Sequence, residues 1–236
     1  MKKLLFVLAC FVSINAAAQG VKLNAYTNYV FDDQVDSYYS NDEYFDGKIK
    51  GGFQWGVGLQ YNFKEFYGLE LTYYNQSTSA NANYQVPGTI AVKNGNFDVN
   101  LNWIMLNGVR EFRKPGGKFE AFGGMGLGVA LINTTNTTAT SPSLGKKANS
   151  TNFAWQLRGG GNIWLSEKIA IKLNAQLQSA VQSVGGRFYI GTGGTGVGVS
   201  SYSSLLQFGL GGGLVFKLGQ SSSTASTAPA QAPQKF

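Results

Sequence analysis

Phe53-Gln54-Trp55-Gly56-Val57-Gly58-Leu59-Gln60-Tyr61-Asn62-Phe63 decides the fold. Every odd position is apolar or aromatic and every even one is polar or glycine. Successive side chains of a strand point to opposite faces, so this segment is a strand with one greasy face and one polar face. The template recurs, and strands are predicted over residues 21–31, 51–63, 67–76, 99–112, 119–132, 152–165, 169–181 and 204–218. Each is close to or beyond the ~9–11 residues that a tilted strand needs to cross a bilayer.

The connections alternate too. Residues 64–66, 113–118 and 166–168 make short links, whereas 32–50, 77–98, 133–151 and 182–203 are each roughly twenty residues long, against a median of about 4–6 in compact soluble domains. Short turns at one end and long loops at the other describe an antiparallel up-and-down transmembrane β-barrel. Eight strands are predicted, with ten as the alternative if Arg187–Ile190 and Val197–Tyr202 extend the last two strands as a hairpin. An even number puts both mature termini on the short-turn, periplasmic side. The competing arrangement, a soluble sandwich or a soluble ligand-binding barrel, would turn the same apolar residues toward a dry centre.

Bulk composition agrees. Aromatics make up 14% of the chain and charged residues only 13%, with 32 glycines; ordinary soluble domains carry ~25% charged residues. The aromatics cluster at strand ends. Tyr29, Phe31, Phe53, Trp55, Tyr73, Trp103, Phe153 and Trp155 lie toward the long loops, and Tyr61, Phe63, Tyr67, Phe112, Phe119 and Phe216 toward the short turns. Two girdles at the membrane interfaces are expected from this distribution.

The N-terminus addresses the chain. Lys2 and Lys3 precede an apolar run from Leu4 to Ile14, and Ala16-Ala17-Ala18 supplies small residues for cleavage, so residues 1–18 read as a secretory signal peptide. A lipoprotein anchored at Cys10 would need a longer apolar run before the cysteine. Cleavage after Ala18 removes the only cysteine and lowers the formal net charge from +7 to +5, which leaves no disulfide and no cysteine-ligated metal. The basic excess is too diffuse for nucleic acid. Residues 19–218 form the barrel domain. Residues 219–236, rich in Ser, Thr, Ala, Pro and Gln, read as a disordered periplasmic tail.

Charged residues on the polar parity, Lys22, Glu70, Arg110, Glu120, Arg158, Lys172 and Lys217, are expected inside the barrel. Counting back through the Pro115-Gly116 turn sets Arg110 opposite Glu120, while Glu70 reaches Arg158 or Lys172. Glycines on that parity, including Gly56, Gly58, Gly126 and Gly211, leave room for larger neighbours in a lumen only wide enough for side chains. The first long loop holds Asp32, Asp33, Asp36, Asp42, Glu43 and Asp46, half of the 12 acids. Such a loop suits Ca²⁺ or a basic partner, but the spacing fits no EF-hand and a solvated loop is the simpler reading.

Histidine is absent, which removes most triads and His-metal sites. Gly191-Thr192-Gly193-Gly194-Thr195-Gly196 has the letters of a dinucleotide fingerprint, but no acid follows Glu167. Lys118 after Gly116-Gly117 lacks the neighbouring hydroxyl of a P-loop. No residue is therefore assigned to catalysis, a cofactor or a metal, and the chain is read as a non-enzyme.

The run Leu101-Asn102-Trp103-Ile104-Met105-Leu106-Asn107-Gly108-Val109-Arg110-Glu111-Phe112, the following Phe119-Glu120-Ala121-Phe122-Gly123-Gly124-Met125-Gly126 and the Ala18-Gln19-Gly20 junction resemble the outer-membrane β-barrel family of Bacteroidetes-type bacteria, in the general class of OmpA/OmpX-like barrels. The resemblance spans Gln19 to Leu218. Residues 207–218, through Gly213, Phe216 and Leu218, are similar to the terminal signal of the barrel-assembly machinery; such signals often end in phenylalanine, whereas here a tail follows. The resemblance implies a cell outer-membrane protein among lipids and lipopolysaccharide. It implies a structural, adhesion or surface-interaction role, or alternatively a narrow pore or a subunit of a transport or secretion complex.

Overall fold

A computed structural model of the chain describes residues 20–39, 43–64, 66–85, 92–113, 116–137, 147–181 and 205–218. The signal sequence, the 219–236 tail, the Gly191–Gly196 stretch and the proposed 187–202 hairpin lie outside the described residues.

Ten antiparallel strands form in chain order: β1 (Val21–Val30), β2 (Asp33–Tyr39), β3 (Glu43–Ile49), β4 (Gly52–Lys64), β5 (Tyr67–Gln85), β6 (Val92–Arg113), β7 (Phe119–Asn136), β8 (Lys147–Trp164), β9 (Ile169–Val181) and β10 (Leu205–Leu218). Eight of them close a barrel in the order β1-β4-β5-β6-β7-β8-β9-β10, and β1 returns to β10. The closing seam is continuous from Val21↔Leu218 to Val30↔Gly209. Closure leaves no open edge, as strands in a bilayer require. No helix occurs among the described residues.

The two extra strands come from the first long loop, read from the sequence as a solvated loop. β2 and β3 form a hairpin, with Asp33 opposite Ile49, and β3 adds to β5 from Ile49↔Ala80 to Phe45↔Tyr84. β3 passes into β4 at Lys50-Gly51-Gly52. Gly52 has φ of 156°, and a Cβ on Gly51 would overlap the Val30 carbonyl, so the kink needs glycine.

The second long loop is likewise mostly paired, with β5 and β6 in register out to Gln85↔Val92. The 22 residues of β6 span roughly 70 Å at about 3.3 Å per residue, far more than the ~25 Å apolar band uses. These hairpins lack the outward apolar face by which the membrane strands are recognised: on β6 above the bilayer Phe97 and Val99 are buried while Asn96 and Asp98 are exposed.

The three short connections fall at the opposite end, as predicted. At the β6–β7 turn Gly116 has φ of 71°, a left-handed conformation suited to glycine.

Side-chain direction excludes the dry-centred alternative. Phe53, Trp55, Val57, Leu59, Tyr61 and Phe63 on β4 are 44–60% exposed, whereas Gln54 and Gln60 are buried. A soluble protein would reverse this. The same outward apolar face continues through Leu69 and Leu71, Leu106, Met125 and Leu127, Leu157, Leu173, and Leu210 and Leu214.

Both girdles form, with two differences. Phe66 joins the short-turn girdle as an exposed residue, and Trp103 leaves the long-loop girdle, pointing inward with 0% exposure. The run Leu101–Phe112 is apolar on both faces, so alternation alone does not orient it; Ile104 and Leu106 take the outside, and Leu101, Trp103 and Met105 the inside.

Candidate functional site

The strongest concentration of polar chemistry is the lumen. Nearest the short turns, Lys22 on β1 donates from Nζ to Glu111 Oε1 at 2.7 Å and Glu120 Oε1 at 3.2 Å. Gln60 Nε2 and Asn62 Nδ2 donate to the two oxygens of Glu111 at 2.8 and 2.7 Å, and Asn162 Nδ2 donates to Glu120 at 2.7 Å. The Lys22 ammonium also lies 5.3 Å from the Trp164 ring centroid. Each carboxylate thus has a cation and at least one amide donor, which offsets the cost of burying it.

At mid-barrel Glu70 receives Arg158 Nη2 through its Oε2. Tyr26 Oη and Asn24 Nδ2 donate to its Oε1 at 2.6 and 2.9 Å. Arg158 Nη1 donates to Tyr26 Oη at 2.9 Å. Lys172 lies 4.2 Å from the Phe122 centroid and 5.3 Å from that of Tyr26, held by ring faces. Above this lies an amide layer, in which Gln176 Nε2 donates to Gln54 at 2.6 Å, Gln54 Nε2 to Gln178 at 3.0 Å, and Asn174 Nδ2 to Asn28 at 3.1 Å.

Toward the long loops the interior turns apolar. Ile49, Phe97, Val99, Leu101, Trp103, Ile132 and Leu205 form one buried cluster. The expectation of a uniformly small or hydrophilic lumen is corrected here. Above the bilayer the barrel wall is hydrated outside, so its stability comes from burying apolar groups inside, as in a soluble protein.

The predicted Glu70–Arg158 pair forms, and Lys22, Glu120 and Lys172 are inside as expected. Arg110 is not. It is exposed on the outer face, its guanidinium 4.8 Å from the Phe112 centroid and 5.2 Å from that of Tyr67. Its register partner is Gly123; Glu120 instead faces Arg113. The turn is longer than a tight-hairpin count allows, and this odd shift exchanges faces.

Glu111 holds the inward position, and sequence reasoning missed it. The signal was available: residues two apart share a face, so an outward Phe112 requires an outward Arg110 and an inward Glu111. Lys217 is half-exposed at the short-turn rim, in register with Lys22.

The buried ionisable set among the described residues is therefore Lys22, Arg158 and Lys172 against Glu70, Glu111 and Glu120. Formal charge cancels. Glycine provides the space: a Cβ on Gly58 would overlap the Glu70 carboxylate, one on Gly56 the Tyr74 ring, and one on Gly126 the Asn107 side chain.

The acidic first loop is tied down by its base. Asp32 Oδ2 pairs with Lys48 Nζ at 2.5 Å, and Gly51 N donates to Asp32 Oδ1 at 2.7 Å; these two partners lower its pKa. Asp33 Oδ2 accepts the Leu206 N–H at 2.9 Å, linking β2 to β10. Desolvation there raises its pKa to about 6, against the opposing effect of the Leu206 N–H. No group of three or more metal-ligating side chains converges among the described residues. The remaining acids of the loop lie beyond the described side chains.

No family model and no curated protein matches the sequence. Among solved structures, Neisserial surface protein A is similar over 84% of this chain and 97% of its own, with 10% identity and a TM-score of 0.53. The outer membrane protein OprG from Pseudomonas aeruginosa aligns over 84% and 96% at 12% identity with a TM-score of 0.47. Ail, the attachment invasion locus protein of Yersinia pestis, aligns over 84% and 99% at 11% identity with a TM-score of 0.40. At such identity the first of these likenesses supports the fold alone. None of these likenesses supports the Bacteroidetes origin expected from the sequence.

Proposed function

We propose that this chain is an integral β-barrel of a bacterial outer membrane, with a filled lumen and no catalytic step, acting as a structural, adhesion or surface-interaction protein through its long-loop end. One observation carries the reading: a continuous outward apolar belt surrounds an interior in which three cations and three carboxylates are buried together. Lipid is the solvent that favours the belt, and the cross-linked interior favours a plug over a conduit.

The outer-membrane address is supported by the signal-like N-terminus and the closed β-barrel. The ladder pairs Val21 with Leu218 at the short-turn end, and we take that end as periplasmic, where outer-membrane barrels carry their short turns. Outer-membrane lipid and lipopolysaccharide are then the surroundings, and the barrel-assembly machinery the partner during insertion.

Two measurements test this. The protein should partition with the outer-membrane fraction, and it should give no stepwise conductance in planar bilayers. Recovery in the aqueous fraction would overturn the membrane reading. Reproducible single-channel steps would replace the plug with the narrow-pore or transport-subunit alternative.

A further inference from the structure

We propose that the short-turn rim carries a binding site for the phosphodiester of an anionic phospholipid, formed by Arg113 and Lys118 above Phe66, Phe112 and Phe119. The inference rests on the membrane orientation given above and adds a ligand class and named residues.

These five side chains and Gly117 line a groove of about 600 Å³ beside the β6–β7 turn. The three phenylalanines are exposed, at the level where aromatic rings meet headgroups. No acid is among the described residues that line the groove. Glu120, opposite Arg113 and on the same face of the sheet, is buried and already held by Lys22 and Asn162, whereas Arg113 is exposed at the rim.

Arg113 is pre-set rather than free. Its Nε donates to the Gly117 carbonyl at 3.0 Å, and its guanidinium lies 5.1 Å from the Trp164 centroid. No carboxylate among the described residues pairs with it. A guanidinium held at Nε, whose terminal N–H groups make no ion pair among the described residues, matches two oxygens of a phosphodiester, and Lys118 adds a second positive charge. Arg110, stacked on Phe112 and Tyr67, places a third cation on the neighbouring outer face.

The occupant is a phospholipid because cation and apolar floor adjoin: the phosphate meets Arg113 and Lys118 while the acyl chains descend along the phenylalanines. The periplasmic leaflet, which this end faces, is the phospholipid leaflet.

The detergent-solubilised protein, offered equimolar phosphatidylglycerol and phosphatidylcholine, is read by native mass spectrometry. Phosphatidylglycerol should be retained in about five-fold preference, the size of one added charge-assisted contact. R113Q/K118Q should bring that preference near one. K168Q, which removes a charge from a different short turn, should leave it unchanged and so separates the site from net charge. Excess glycerol phosphate should not displace the lipid; displacement would mean a free-phosphate site and overturn the proposal. Equal loss in K168Q, or full preference in R113Q/K118Q, also overturns it. Should the double variant fail to show the heat-dependent gel shift of a folded barrel, K118E at the exposed turn supplies the same comparison. Protein that inserts but takes up both lipids equally refutes the site alone, whereas protein that takes up no lipid refutes the membrane reading beneath it.

Discussion

Replacing Glu70 by glutamine keeps the shape of the mid-barrel cluster and removes one charge. Glu70 is fully buried; it accepts hydrogen bonds from Tyr26 and Asn24 and receives Arg158. A glutamine oxygen can still accept from Tyr26 or Asn24, but its NH₂ meets the guanidinium donor to donor. Arg158 and Lys172 then share the mid-lumen without a counter-charge. Breaking a buried pair by removing one partner costs about 3–5 kcal/mol, so E70Q should lose that much in urea unfolding from lipid vesicles, followed by tryptophan fluorescence.

The double variant E70Q/R158Q restores the formal balance and should recover at least about 1 kcal/mol relative to E70Q, within the range of couplings between contacting residues. The comparison matters more than either value. Equal losses in single and double variants would mean that shape rather than charge pairing holds the lumen. A stable E70Q that opened a conductance would refute the plug and make this pair a gate.

Leu71 projects outward beside Leu59 on the neighbouring strand, and L71R should cost about 2–4 kcal/mol in vesicles, as a cation on the lipid face near mid-bilayer does; a loss under about 0.5 kcal/mol, typical of water-facing sites, would show that this face is not in lipid. G58A places a methyl against the Glu70 carboxylate and should destabilise by about 1–3 kcal/mol through overpacking, less when combined with E70A, which removes the group it meets, as a double-mutant cycle in the same unfolding assay would show. At the loop base, the folded pKa of Asp33, about 6, lies above its ordinary value. The neutral form is therefore favoured in the fold, and its contribution is fully present below about pH 4 and lost as pH rises through 6. Proteolytic nicking of the β2–β3 hairpin should rise over that window, and D33N should flatten the dependence; a wild-type profile that is already flat would refute it.

How much of this was legible depends on which solvent each residue faces. Within the bilayer the outer face must be apolar, so Phe53–Phe63 declared its strand, its faces and the barrel at once, and parity alone put Glu70 within reach of Arg158. Above the bilayer that constraint lapses. The paired stretches Ser77–Gln85 and Val92–Asn100 face water on the outside, so their apolar residues, Ala80, Phe97 and Val99, are the buried ones, and the outward apolar face that marks the membrane strands is missing.

Arg110 and Glu111 fall between these regimes. Adjacent charges cannot share a face, and nothing in either residue says which one enters. Phe112 decides it, because a ring at the headgroup level fixes the parity of its whole strand end. The lumen's charge balance is then a consequence of the lipid face: each outward aromatic at the short-turn rim selects which neighbouring charge turns inward, and had Arg110 entered in place of Glu111, Lys22 would have lost its 2.7 Å partner and the buried set of three cations and three carboxylates would have become four against two. A barrel with that excess would need an anion or water in its core, and so the choice made at Phe112 is also what balances the buried charge of this lumen.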